Sequence, residues 1–410
     1  MANTITPLRR RGTYLLWLAG DTAQQLGLGL GSFAMPLLTL IVTGSPTVAG
    51  TVGAVQLVGG VVGFLPGGVL ADRFDRRILR AWSAGIGLAL SLWLAGLAAF
   101  GWLDVWSLVN IGFLLQLRAS LFTPASEAML RTVVHKRQLA QAVANNQGRD
   151  AAVSLVSGPL GGVLLAWGHS VPFIGQALSF LVMWLTNQRI GGSRKPERTD
   201  RSSAWQDLRT GLAFVGSSRL IVAICGAFML LNLAMNGAVI ATIYSLQLAG
   251  HRPEVIGLVT AALGIGALLG AVAAGWLVKR VPTGALILAC MVVFTAAMGV
   301  ITAWPELGVV LPALAVVMLT GPAVNAAVGG LLMHVVPNEL MGRVQAVLMF
   351  LAMLLAPLSP ALAGWGIGLV GLGGTYASFG VIGALGLLTC AGFRPIRSLP
   401  RMDRWDEVLV

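Results

Sequence analysis

The sequence predicts an all-α membrane protein of twelve transmembrane helices, arranged as two pseudo-symmetric six-helix halves. Three observations carry this expectation. Hydrophobic residues fill 56% of the 410 positions and charged residues only 10%, with a mean hydropathy of +0.83, which leaves too little polar surface to cover a water-soluble globule. The apolar residues gather into twelve runs, and a helix that crosses the hydrocarbon needs roughly 20 such residues. The basic residues fall in alternate gaps between those runs, as expected of a multi-pass chain with its positive loops inside.

The runs are about 13–43, 47–70, 78–100, 104–126, 144–166, 171–188, 219–248, 254–278, 283–303, 307–333, 343–370 and 374–393. Lysine and arginine cluster at Arg9–Arg11, Arg73–Arg80, Arg131–Arg137, Arg189–Arg219, Lys279–Arg280, Arg343 and Arg394–Arg404, all on one side of a twelve-span arrangement. Loops near Thr43, Asp104, His169, Glu306 and Gly373 carry none, and Arg252 is the exception. Both termini are therefore expected in the cytoplasm. The net charge of +12 follows from this sidedness, so no nucleic-acid partner is expected.

In chain order, Arg9–Arg11 before an apolar run imitates a signal peptide. The run is long, however, and holds Asp21, Gln24 and Gln25, so it reads as a retained first helix. The second run ends at a sharp water boundary, Gly68-x-x-x-Asp72-Arg73-x-x-Arg76-Arg77. The fourth holds Arg118 and Pro124-Ala125 and meets Glu127 at its inner end. The fifth opens with Arg149 and Asp150 and carries Gly158-Pro159-Leu160-Gly161-Gly162. A proline inside a helix removes a backbone donor, and the glycines around it favour a bent, closely packing face.

The segment from Asn187 to Ser218 is the longest polar stretch and links the halves; Trp205 to Phe214 within it could lie on the inner membrane face as an amphipathic helix. Expected boundaries are 1–190 for the first half, 191–218 for the linker, 219–393 for the second half and 394–410 for a cytoplasmic tail. Repetition at half-chain offset supports the division: Gly68-x-Leu70 recurs as Gly275-x-Leu277, and Pro124-Ala125 as Pro322-Ala323. Spans 7 to 12 hold no ionisable residue away from their ends, and their amides are Asn232, Asn236 and Asn325. Cys225, Cys290 and Cys390 all fall in spans, which argues against a disulfide framework or zinc site. No lysine follows a glycine, so there is no Walker A loop, and no Ser-His-Asp or metal-ligand spacing occurs. An enzyme is not expected, nor is a cofactor or metal.

The Gly68–Arg77 pattern, its flanking spans and the repeated halves resemble the major facilitator superfamily, with Asp75 where the loop between helices 2 and 3 usually has glycine. The Gly158–Gly162 run resembles the antiporter motif of drug–proton exporters in that superfamily, with Ser154 in place of a glycine. The similarity is greatest to the macrolide and siderophore exporter branch. It implies a bacterial inner-membrane secondary transporter, working as a monomer in lipid by alternating access, that exports a lipophilic or amphipathic small molecule against protons. An importer or uniporter, or a transport-dead sensor on the same fold, is the alternative. Resemblance also places helices 1, 4, 7 and 10 around a central cavity, so Asp21 and Arg118 become the proton-coupling residues and Gln24, Gln25, Asn232, Asn236 and Asn325 cavity residues. With helix 4 leaving the membrane near Glu127, Asp21 and Arg118 lie ~12 and ~13 Å from the same surface and could meet. In similar transporters the acid matching Asp72 faces the start of helix 11, here near Gly342, and the arginine matching Arg76 pairs with an acid such as Glu127. Gly68, Asp72, Arg73, Arg76, Arg77, Glu127, Arg149 and Asp150 are thus the expected gating residues.

Overall fold

A computed structural model describes residues 8, 11–191, 204–337 and 339–407. The linker charges from Arg194 to Arg201, together with Arg9 and Arg10, lie outside the described residues. Within them the regular elements are helical: α1 Gly12–Thr43, α2 Pro46–Arg73, α3 Arg76–Phe100, α4 Val105–Val133, α5 Leu139–Trp167, α6 Val171–Gln188, α7 Ala204–Ser217, α8 Arg219–Leu248, α9 Pro253–Arg280, α10 Thr283–Ala303, α11 Leu307–Val335, α12 Met341–Leu354, α13 Leu358–Gly392 and α14 Arg394–Arg397.

Ten stretches of the described residues are long and apolar enough to cross a membrane. Helix α6, with 18 residues, is within the length range for a span and adds one. The last stretch, Met341–Gly392, supplies two crossings. Its first crossing breaks between α12 and α13, where Pro357 has no amide hydrogen to continue the ladder. The chain then turns at Gly371, whose φ of 71° and ψ of −179° suit a residue without a Cβ. Twelve spans result, and α7 is the additional short helix that covers the expected amphipathic segment.

The chain forms two packing units. The first contains α1, most of α2, α3 to α6 and the first turn of α9. Its interior stacks α3 against α4 and α6, with Ala84, Phe180 and Met183 in one cluster and Trp17, Met129, Leu130 and Val133 in another. The second contains the first turns of α2, then α7, α8, the rest of α9 and everything after it. Here α13 packs along α8 and α10, and α7 lies on α12. Small residues bring the backbones together, as expected where lipid offers no hydrophobic drive for association. In the second unit Gly50 faces the backbone of Pro360 and Gly364; in the first, Gly162 faces Pro253 and Gly257 faces Gly158. A Cβ at any of these would meet main chain.

Candidate functional site

The first unit holds the buried ionic chemistry. On α1, Asp21 is 9% exposed and its carboxylate is engaged on both oxygens. Oδ2 lies 2.8 Å from Nη2 of Arg149 on α5, and Oδ1 accepts from Oγ of Ser126 on α4 at 2.7 Å. Arg149 also donates from Nη2 and Nε to Oδ1 of its neighbour Asp150, at 2.7 and 3.1 Å. One guanidinium is therefore shared by two carboxylates, and one carboxylate ties together α1, α4 and α5. Charge-assisted bonds of this kind are the strong ones, and a site out of water strengthens them further.

Arg118, which by the sequence reading could meet Asp21, is not part of this cluster. It is 2% exposed, donates from Nη1 to Oγ and the carbonyl of Ser83 on α3 at 2.8 and 3.3 Å, and lies 4.4 Å over the Phe180 ring of α6. The reason is the length of α4, which runs on to Val133 rather than ending at Glu127. Arg118 is fifteen residues from that end, ~22 Å along the axis, whereas Asp21 is nine residues from the start of α1, ~13 Å. The α4 residue level with Asp21 is Ser126. Arg118 sits between α3, α4 and α6, on Ser83 and Phe180.

Arg80 on α3 belongs to the Arg73–Arg80 cluster expected at the inner surface, and the structure buries it completely at 0% exposure. Its guanidinium lies 5.7 Å from the Trp17 ring centroid, and Nη1 is 3.8 Å from Met129 Sδ. A signal for this was present. Leu79, Arg80, Ser83, Ala84, Gly87, Leu90, Ser91 and Leu94 form the buried stripe of α3, and Arg80 falls on its 3.6-residue period.

The polar loop between α2 and α3 is held mainly by backbone acceptors. Asp75, the departure from the family pattern, accepts from the Arg77 amide at 2.9 Å as the N-cap of α3, a position that favours Asp. Arg77 donates to the carbonyls of Asn187 and Gln188 at 3.4 and 2.9 Å, and Asn187 Nδ2 returns a bond to the Arg77 carbonyl at 2.9 Å. Arg76 reaches the Ala128 carbonyl at 3.4 Å, so its expected ion pair with Glu127 is replaced by a bond to the next residue's main chain. Asp72, Arg73 and Glu127 are exposed, and Gly68 has open space where a Cβ would sit. In the second unit Gly342 is also open, while Arg343 beside it pairs with Asp207 of α7 at 2.6 Å.

Of the expected cavity residues, Gln24 is buried and Gln25 half-buried. Asn232, Asn236 and Asn325 are exposed. Asn232 and Asn236 donate to carbonyls one turn back on their own helix, at 3.0 and 2.8 Å. Helix α5 stays continuous through Pro159. Gly161 lies against the Phe33 ring, and Gly158 and Gly162 take the first turn of α9.

Twelve spans, with the buried charged side chains of the described residues all in the first unit, make a multi-pass membrane protein, and its family makes it a transporter. The chain belongs to the transmembrane secretion effector family of the major facilitator superfamily, whose sequence profile matches residues 2–408. It is 32% identical over 304 residues to the enterobactin exporter EntS of Citrobacter koseri, covering 70% of each chain. To EntS of Salmonella typhimurium it is 30% identical over 297 residues, covering 68% of this chain and 67% of the relative. In fold it is similar to the nucleoside transporter NupG, with a TM-score of 0.73 at 11% identity over 92% of this chain and 99% of that one. The xylose transporter XylE from E. coli in an inward-open conformation gives 0.68 at 16% identity over 96% and 98%.

Proposed function

We propose that this protein is a proton-coupled exporter of an amphipathic small molecule of the siderophore type, with Asp21 as the group that takes and releases the proton. The observation that carries this reading is the shared ion pair, since Asp21 is the one buried carboxylate inside a span among the described residues. An ionised group at such depth is expensive and usually functional. Protonating Asp21 cancels its charge and removes its hold on Arg149, which keeps Asp150 as counter-ion; losing the proton restores the bridge from α1 to α5. The two arrangements differ in the helices they tie, which is what a ligand or proton needs to bias a two-state equilibrium. Export, rather than uptake, is supported by the Gly158–Gly162 motif and by relatives whose names describe them as enterobactin exporters.

The same reading places the protein in the bacterial inner membrane as a monomer, with both termini cytoplasmic and the halves 1–190 and 219–393 moving about the 191–218 linker. Gly68, Asp72, Arg73, Arg76, Arg77 and Glu127 serve as the gate at its inner face, and Gln24, Gln25, Asn232, Asn236 and Asn325 meet the substrate. The experiment uses enterobactin in a host lacking its own exporter. Expression should lower cellular enterobactin, and Asp21→Asn should return it to the level of the empty host while purified Asp21→Asn protein still binds the compound. A rise on expression would show import. Proton release on adding enterobactin that persists in Asp21→Asn would place coupling elsewhere.

A further inference from the structure

The Arg80 guanidinium is fully buried, and neither its Nε nor its Nη2 has a hydrogen-bond partner. Nη1 reaches a thioether at 3.8 Å, a weak acceptor. A methionine or leucine would fill the space beside Trp17 and Met129 without stranding a charge. Guanidinium groups stay protonated in proteins, and one buried without a bonded anion is strongly unfavourable. Arg118, equally buried, has two oxygen acceptors at Ser83; the bond Arg80 makes is to sulfur, so it is Arg80 that wants an oxygen acceptor in another state of the molecule.

The neighbourhood offers one. The charged groups around this position are Arg80 from α3, Glu127 and Arg131 from α4, Arg149 and Asp150 from α5, and Asp21 itself from α1; α6 contributes the neutral Thr186. Among the acids only Asp21 acts electrostatically on Arg80. The residue before Asp21 is Gly20, and a Cβ built there would stand 3.3 Å from Arg80 Nη2. The Thr186 hydroxyl is nearer still to that point, so the absent side chain leaves room beside the α1 backbone for that hydroxyl and the free edge of the guanidinium together. In this structure the carboxylate is turned to Arg149 and Ser126 instead.

We infer that Arg80 is a positioning residue, the second counter-ion of Asp21: the carboxylate exchanges Arg149 on α5 for Arg80 on α3 as the transporter changes state. This rests on Asp21 being the proton carrier. Exchange between two arginines gives the ionised acid a partner on either side of the change, and protonation, by releasing the arginine it holds, permits the crossing between them. It also moves the attachment of α1 from one neighbouring helix to another.

The test needs no substrate. In difference infrared spectra of purified protein, the protonated-carboxyl band absent from Asp21→Asn reports the titration of Asp21. Arg80→Gln should displace its midpoint by at least about one pH unit, tenfold in proton affinity, and Arg80→Lys, which keeps the charge, should restore it to within about half a unit. A midpoint unmoved by Arg80→Gln, or displaced equally in Arg80→Lys, overturns the inference while leaving Asp21 as carrier. No Asp21 band at any pH removes the carrier itself. Should Arg80→Gln fail to reach the membrane, Arg149→Gln decides: with Arg80 still able to hold the carboxylate, the added effect of Arg80→Lys on the midpoint must exceed its effect in the native background. Equal effects overturn the exchange.

Discussion

Ser126 and Arg118 stand eight residues apart on α4, ~12 Å along its axis, and that separation assigns them different work. Ser126 holds the Asp21 carboxylate; Arg118 pins α4 to α3 and α6 through Ser83 and Phe180. Arg118→Lys loses the planar fork and the ring contact, so we expect the detergent-solubilised protein to lose about 2 kcal/mol, the scale of one hydrogen bond to a charged group, read as a lower thermal midpoint. The Asp21 titration should not move; if it does, Arg118 belongs to the coupling site after all. Asp21 was legible in the sequence because an acid inside an apolar run is conspicuous. The depth of Arg118 was not, because Glu127 looks like a water boundary although α4 continues past it for another turn and a half. Arg80 was hidden for the opposite reason: proximity to Arg76 and Arg77 made it resemble a loop charge, and only its phase on α3 reveals that it is interior.

At the scale of elements, the tail after α13 shows what hydropathy does not register. Ile396 and Leu399 are buried in the second unit's core, Trp405 Nε1 donates to Thr283 Oγ1 at 3.0 Å, and the Trp405 ring lies on Gly330 and edges His334 at 6.0 Å. The sequence shows only a basic stretch there, since three apolar residues scattered among arginines have no helical or strand period. Trp405→Ala should destabilise the protein by about 3–5 kcal/mol, the range for emptying a buried aromatic site, and expose the chain after Phe393 to trypsin; unchanged proteolysis would mean that the tail packs without consequence. The start of α4 behaves differently with pH. Bonds from the Ser107 hydroxyl and amide hold the Asp104 carboxyl below its ordinary range, so its capping contribution is complete above that range and is lost as pH falls through the lowered value. The extra protection of the Ser107 amide in the native protein over Asp104→Ala should therefore shrink on acidification, in hydrogen exchange followed by mass spectrometry.

For the molecule as a whole, the number of spans could be read from the sequence and their partnerships could not. Gly371, Gly373 and Gly374 mark the last reversal of the chain, whereas the break before Leu358 sits inside an unbroken apolar run. The cut at 191–218 follows polarity, yet the packing units exchange short segments, with the first turns of α2 in the second unit and the first turn of α9 in the first. Those assignments depend on close backbone approaches at Gly50 and Gly162, and one glycine among 53 carries no mark of its partner. Sidedness is the property of the whole chain that remains open to direct measurement. Arg252, the lone basic residue on the expected outer side, stands 4.0 Å from Glu254 and is outweighed by the inner clusters. With Cys225, Cys290 and Cys390 replaced by alanine, Ser45→Cys and Gly373→Cys should react with an impermeant maleimide in intact cells. Ser217→Cys, at the end of α7, should react only after permeabilisation. Labelling of Ser217→Cys in intact cells would invert the orientation and, with it, the direction assigned to transport.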